Sequence, residues 1–497
     1  MKKIQKALLV VLSLLSFGAS EMLAQGNIFH NREFWAKKPG VEEVKQKMAE
    51  GHNILEMGPG GWDGPLLAIM ADGQFETIQF ILDQPGIDVN VVTHHSNNYL
   101  MWTTARGNLP VMELLMKKGS KTDIINSHGQ SLLMHAPMSG KADPAIYDFC
   151  LKNGGDIKND KDEEGRNVML AAIANLKDIS FLNYFVSKGL SLKDTDKKGN
   201  GLFHYAVGGG NVKTLQDLVT MGVSYAPNTA GENAFTFVGK GRAKVTVELL
   251  QYLKSLGLDP KGKAANGQTL AHTAARLGLD EQILKFITES GVNLTQADQD
   301  GNTPLMLAAT RGELTNVTYW LASNNVKAIN AKGASALTNA VAFNKPEVVK
   351  LLIDKGADTR ILDKEGHDLY YHLVFNHRKG SIQRTNEIIE LLKASGADIR
   401  RSANQGVLLH TALEKDDTAL LGKLFELGLN VNAKDKDGYT ILHYASMKAK
   451  NLDLLQFLVQ KGADPGITTE LDETVLDLIA ENEVLGKQKL NLDFLKK

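Results

Sequence analysis

A single cysteine, Cys150, stands among 497 residues, so the chain can close no disulfide within itself. In PAIYDFCLKNGGD it takes the place that Leu352 holds in VVKLLIDKGAD (Val348 to Asp358), on the inner side of a helix. The expectation is a buried thiol packed as a small hydrophobe, not a nucleophile. Charge of one sign is also missing. Against 57 Asp and Glu stand 56 Lys and Arg, a formal net charge of −1. That balance offers no basic stripe for nucleic acid and no pull toward an anionic membrane, although it leaves local patches open. Catalytic signatures are absent too: no H-E-x-x-H, G-x-S-x-G, phosphate loop or dinucleotide fingerprint occurs. The glycine-rich MGPGGWDGP (Met57 to Pro65) lacks the G-K-[ST] ending and reads as a connecting turn. No catalytic residue, cofactor or metal is assigned, and the chain reads as a non-enzyme.

Long apolar runs are confined to the start. MKKIQK is a basic lead, Ala7 to Phe17 an apolar core, and Gly18 to Gly26 a small and polar exit. This is the pattern of a secretory signal peptide over 1–24, cut after Ala24, with Ser20 and Gly26 as alternatives. The core is too short to span a bilayer, and no cysteine follows it to carry a lipid. The protein is therefore expected to be exported, to the periplasm of a Gram-negative-type bacterium or beyond it.

What the chain has is repetition. DGYTILHYASMKAKNLDLLQFLVQKGAD (Asp437 to Asp464) reads as a short helix capped by Thr440, a turn, and a second helix with Leu452, Leu455, Leu458 and Val459 at helical spacing; Gly462 stops it. With Gly438 as anchor, equivalents fall at Gly61, Asn98, Gly129, Gly165, Gly199, Gly231, Gly267, Gly301, Gly333, Gly366, Gln405 and Asp472. Their spacing averages about 34 residues, a period that signals stacked units, each unable to bury its own apolar face. Seven places after most anchors stands alanine, as at Ala308 and Ala445, where adjacent helices must approach closely.

GNTPLMLAATRG (Gly301 to Gly312), GYTILHYA (Gly438 to Ala445) and the endings KGADTR, SGADIR and KGADPG make this pattern resemble the ankyrin repeat. The resemblance implies an all-α solenoid of about 13 helix-turn-helix units, with short β-hairpin or turn fingers and helical caps. The expected boundaries are a capping segment over 25–60, the repeats over 61–480 and a charged capping helix over 481–497. In the first cap VEEVKQKMAEGHNI reads as one amphipathic helix preceded by Phe34 and Trp35, and Trp102 reads as core. Two units carry insertions, GKGRAK after Val238 and HRKGSIQR from His377; in repeat proteins these fall on loops of one face, often the binding face.

His204, His272, His410 and His443 share one slot, five residues after the anchor. The resemblance implies hydrogen bonding there within and between turns. His94 and His95 in VVTHHSNN could serve a transition metal only with further ligands. The resemblance further implies that a protein partner is held by the fingers and the exposed side of the first helices, on a concave face. The slots are the residue after the anchor, the two before it, and those nine and ten after it. Large side chains there are Trp62, Tyr99, Arg166, Arg276, Arg311, Phe343, His367, Phe375 and Tyr439. Aromatic and arginine side chains are the types that anchor interfaces. The functional expectation is a monomeric, non-catalytic scaffold for an unidentified protein, with no nucleic acid and no membrane span after signal removal. A secreted effector acting on host proteins is the alternative, and a metal- or small-ligand-binding protein a further one.

Overall fold

The computed structural model describes residues 26–278, 280–401 and 405–496; the expected signal peptide lies outside them. The chain divides into two bodies, one ending at Leu258 and the other beginning at Asp259. Among the described residues neither contains a β-strand, and the only bridges are isolated ones at Gly58–Trp62 and Ile329–Ser335.

The module is clearest around Gly301. Asp298 N–H donates to Asn302 O (3.0 Å), and the Asp298 carboxylate accepts from the N–H groups of Asp300 (3.0 Å) and Asn302 (2.8 Å). Gly301 has φ +80°, and a Cβ there would stand 3.1 Å from Asn330 Cα in the next finger. Left-handed backbone and close approach together require glycine. Two residues on, the Thr303 side chain accepts from Met306 N–H and starts the helix Pro304–Arg311, with proline pre-set in its first turn. The helix Leu314–Leu321 follows. Helices of eight residues do not persist alone in water. Here Leu305, Ala308, Val317 and Trp320 are fully buried, and packing supplies what propensity cannot.

In the second body this pairing recurs as Leu270–Leu277 with Glu281–Glu289, Ala336–Phe343 with Pro346–Asp354, Leu369–Phe375 with Ile382–Ala394, Gln405–Leu413 with Thr418–Glu426, and Ile441–Lys448 with Asp453–Gln460. Ala274, Ala308 and Ala340, seven after their anchors, are all fully buried between successive first helices. Neighbouring fingers are tied by single backbone bonds: Gln299 N–H to Asn266 O, Ala331 N–H to Asp300 O, and Lys364 N–H to Lys332 O. The first body repeats the plan from Gly64–Met70 to Val247–Ser255. Two of its first helices shrink to 3-10 turns, Leu133–Ser139, which contains Pro137, and Ala234–Phe237, which Val238 separates from the GKGRAK insertion. Cys150 and Trp102 are buried as expected.

The sequence register slips in the second unit. Thr93 N–H bonds Asn97 O and Ser96 has φ +59°, so Ser96, not Asn98, is the residue equivalent to Gly301. Asn98 is the helix cap, accepting from Met101 N–H. The flanking intervals become 35 and 33 in place of 37 and 31.

Both ends differ from expectation in detail. Before the first finger, a 3-10 turn at Ile28–His30 and the helix Arg32–Ala36 precede the expected helix at Val41–Ala49, and Trp35 Nε1–H donates to Phe29 O (3.0 Å). At the other end, the charged helix expected over 481–497 is not formed by the described residues: after Val475–Glu481 the chain turns and makes one 3-10 turn at Asp493–Leu495. Asn482 is the cause. Its amide donates to the carbonyls of Ser446, Met447 and Ala449 while its oxygen accepts from Val484 and Leu485 N–H, which folds the chain back before a helix can continue.

Candidate partner-binding surface

The histidine slot is spent on structure. His443 Nδ1 accepts from Thr440 N–H (3.0 Å) and its Nε2 meets Ile467 O of the next finger (2.9 Å); His272 does the same with Thr269 (3.1 Å) and Asn302 O (3.1 Å). In His204 and His410 the Nε2 atom is buried without a hydrogen-bond partner among the described residues. Burial holds all four below the ordinary histidine pKa. His94 and His95 gain a neighbour from the next finger: His128 Nε2 lies 3.1 Å from His95 Nδ1, and His94 Nδ1 meets Gly60 O (2.9 Å). Among the described residues no group of three or more side chains is arranged to hold a metal.

The large residues directly after the anchors, Trp62, Arg166, His367 and Tyr439, are half-buried. In the first body Trp62 is half-buried, with the Arg32 guanidinium 4.6 Å from its ring centre and His94 at 4.9 Å. Arg166 pairs with Asp162 (2.6 Å) and lies 5.5 Å from the Tyr205 ring. In the second body His367 stacks on Tyr371 at 3.7 Å, and Tyr371 in turn stacks on Phe375 at 5.7 Å. Phe375 is 52% exposed and carries Lys415 Nζ 5.0 Å above it, and Phe343 is 48% exposed. Arg276 and Arg311 are exposed and line one groove with Tyr319. Tyr439 is half-buried, 5.3 Å from Tyr444.

Tyr99 is the exception and a correction. It is 1% exposed, and its hydroxyl donates to Asp63 Oδ2 at 2.5 Å. The register slip explains this: counted from Ser96, Tyr99 is the first residue of its helix, a core position like Leu270 or Ile441. Burial raises the Asp63 carboxyl pKa, an effect that the Tyr99 hydrogen bond opposes, and burial raises the phenol as well.

Sequence reasoning missed the tyrosines of the first helices. Tyr205 and Tyr444 follow the slot histidines in FHYA and LHYA, and each donates its hydroxyl to the aspartate opening its own finger: Asp196 (2.6 Å) and Asp435 (3.0 Å). Burial raises the Tyr444 phenol pKa to about 12, assisted by that bond. The signal was an aspartate three before the anchor with a tyrosine six after it. It also missed the fate of the insertions. HRKGSIQR is a brace: Arg384 Nε–H donates to Asn344 O (2.7 Å) and Nη2 to Val341 O (2.8 Å), while His377 links Thr385 (2.9 Å) to Asp417 (2.9 Å). GKGRAK instead walls a cleft of about 490 Å³ in the first body.

A family model described as ankyrin repeats (3 copies) matches residues 240–328, 271–363 and 379–469. The chain carries ankyrin repeats. Among its relatives are the mouse (Mus musculus) B-cell lymphoma 3 protein homolog, 27% identical over 230 residues (38% of this chain, 51% of that protein), and the E3 ubiquitin-protein ligase KEG of Arabidopsis thaliana, 23% identical over 470 residues (85% and 26%). A putative ankyrin repeat protein of fowlpox virus, FPV223, is 29% identical over 133 residues, 26% of this chain and 86% of that one. The chain spans about half or less of the length of the first two. The crystal structure of the human ASB11 ankyrin repeat domain is matched with a TM-score of 0.37 at 24% identity, over 44% of this chain and 96% of that one. Ankyrin repeats generally mediate protein–protein interaction, and the fold is typically a non-catalytic scaffold. Among the described residues no helix of this ankyrin-repeat chain is long and apolar enough to cross a membrane.

Proposed function

We propose that the protein is a non-catalytic scaffold that holds a partner protein on its fingers and first helices, in an exported compartment. The observation that carries this is the His367–Tyr371–Phe375 stack with Phe343. Here two phenylalanines stand about half exposed at positions the core does not require. Rigid aromatic side chains on a pre-formed surface lose little ordering entropy when they are covered.

Export rests on the leader at MKKIQK and the apolar core behind it. The test captures partners from cell extract with wild type and with Phe343→Ala/Phe375→Ala. Loss of the specific partners from the variant, with its circular dichroism unchanged, supports the reading; identical capture refutes it. Sequencing the N-terminus of the protein recovered from the periplasm or the medium tests the export step and separates a periplasmic scaffold from a secreted effector.

A further inference from the structure

The GKGRAK insertion does more than lengthen a loop. It lies against the first helix of the preceding repeat so closely that a Cβ on Gly241 would stand 2.0 Å from Gly208 O. Only glycine lets the two backbones meet there. The insertion thereby becomes one wall of the cleft of about 490 Å³, whose floor holds Tyr205 and Phe237.

The acidic groups of this cleft are already engaged. Asp196 accepts from Tyr205 and Asn200 Nδ2 (2.8 Å), Glu232 accepts from Asn228 (2.6 Å), and Glu164 lies 3.7 Å from Arg166. Of the basic groups, Arg166 is paired and the other three are not. Lys198, on a finger, and Lys240 and Arg242, on the insertion, line the cleft, are exposed and make no ion pair with any described residue. Lys240 Nζ lies 4.3 Å from the Phe237 ring centre. Solvent reaches Lys240, yet the atoms crowding it desolvate it enough to lower its pKa, Lys198 adds repulsion, and Glu232 and Glu164 oppose the shift. A protein of net charge −1 thus presents three unpaired cations around two aromatic rings.

We propose that this cleft, as one part of the scaffold surface inferred above, binds an extended acidic segment of the partner protein. Cations placed on a finger and on the opposing insertion suit spaced carboxylates along a chain, with the aromatic floor receiving apolar side chains between them. A nucleic-acid backbone is disfavoured, because it would set a charge at every nucleotide against the exposed Glu163 and Glu164 on the neighbouring finger, where a peptide can place uncharged residues.

The test titrates the full-length protein into a fluorescein-labelled decapeptide of alternating Glu and Phe, and into its Gln-for-Glu analogue. The Glu peptide is expected to bind at least tenfold tighter than the analogue. Lys240→Glu/Arg242→Glu is expected to weaken it at least tenfold, and Lys240→Gln/Arg242→Gln by less. Lys117→Glu/Lys213→Glu, a matched charge reversal on second helices of the same body, is expected to leave it within twofold. Equal binding of the two peptides, or no effect of the charge reversal in the insertion, overturns the proposal. So does displacement of the peptide by oligothymidylate or inorganic phosphate at concentrations below the peptide's own dissociation constant. If wild type ignores the peptide while capture still depends on Phe343 and Phe375, the cleft assignment fails and the scaffold reading stands. If capture is indifferent to those phenylalanines while the peptide binds as described, the scaffold reading fails and the cleft stands.

Discussion

Ser96 shows how much a single position decides. It holds a left-handed backbone where most fingers use glycine, as at Gly61 and Gly129, and where the last uses Asp472. An L-residue there costs about 1 kcal/mol. Ser96→Gly is expected to raise the unfolding free energy by about that amount in urea titration, in contrast to the usual loss on introducing glycine. Histidines set a second property at this scale. His135, His204, His272, His410 and His443 are all held below their ordinary pKa of 6.5, chiefly by burial. Below that value the unfolded chain takes up protons that the folded chain refuses, so stability rises with pH. The unfolding midpoint is therefore expected to fall as pH drops through about 6.5 and below. His443→Gln should flatten part of this slope; an unchanged slope in that variant would show that His443 does not contribute.

Among the elements of the described residues, the longest is Ile382–Ala394, and its first turn is held by a side chain that acts at a distance in sequence. Arg384 donates to carbonyls at the end of Ala336–Phe343, the last turn of a helix, where cations and donors are stabilising. Desolvation lowers its pKa, so the charge depends on those carbonyls for compensation. Arg384→Ala is expected to cost about 2 kcal/mol by denaturant unfolding, near the value for hydrogen bonds to a charged group. A loss below about 0.5 kcal/mol would mean that water replaces the guanidinium without penalty. The same segment reverses the expectation attached to insertions. HRKGSIQR closes on the core through His377 and Arg384, whereas GKGRAK opens a cleft, and nothing in their composition separates the two.

In the molecule as a whole, Cys150 is a reporter of the first body. It is fully buried, and burial pushes its thiol up to about 12. A thiol reagent should modify the native protein only through opening of that body, at a rate that follows denaturant concentration. Fast modification in buffer would contradict the packing of Pro144–Lys152. At this scale the second body carries the exposed phenylalanines and the first carries the basic cleft, so the two surfaces can be tested by separate variants.

The chain by itself determined the module and its period. Glycine in most fingers, the cap two residues later and alanine seven later are local demands of backbone conformation and close approach, and local demands leave a mark at fixed spacing. The exposure of Arg276, Arg311, Phe343 and Phe375 followed from the same spacing, and Tyr99 departed from it because Ser96 stands in for glycine and shifted the count. Tertiary structure decided what spacing cannot encode. It buried Tyr99 against Asp63, turned the C-terminal segment back at Asn482, and gave His128 to His95. It also chose which insertion braces the core and which leaves cations unpaired. These depend on contacts between residues about thirty or more apart, whose partners are fixed only when neighbouring repeats stack.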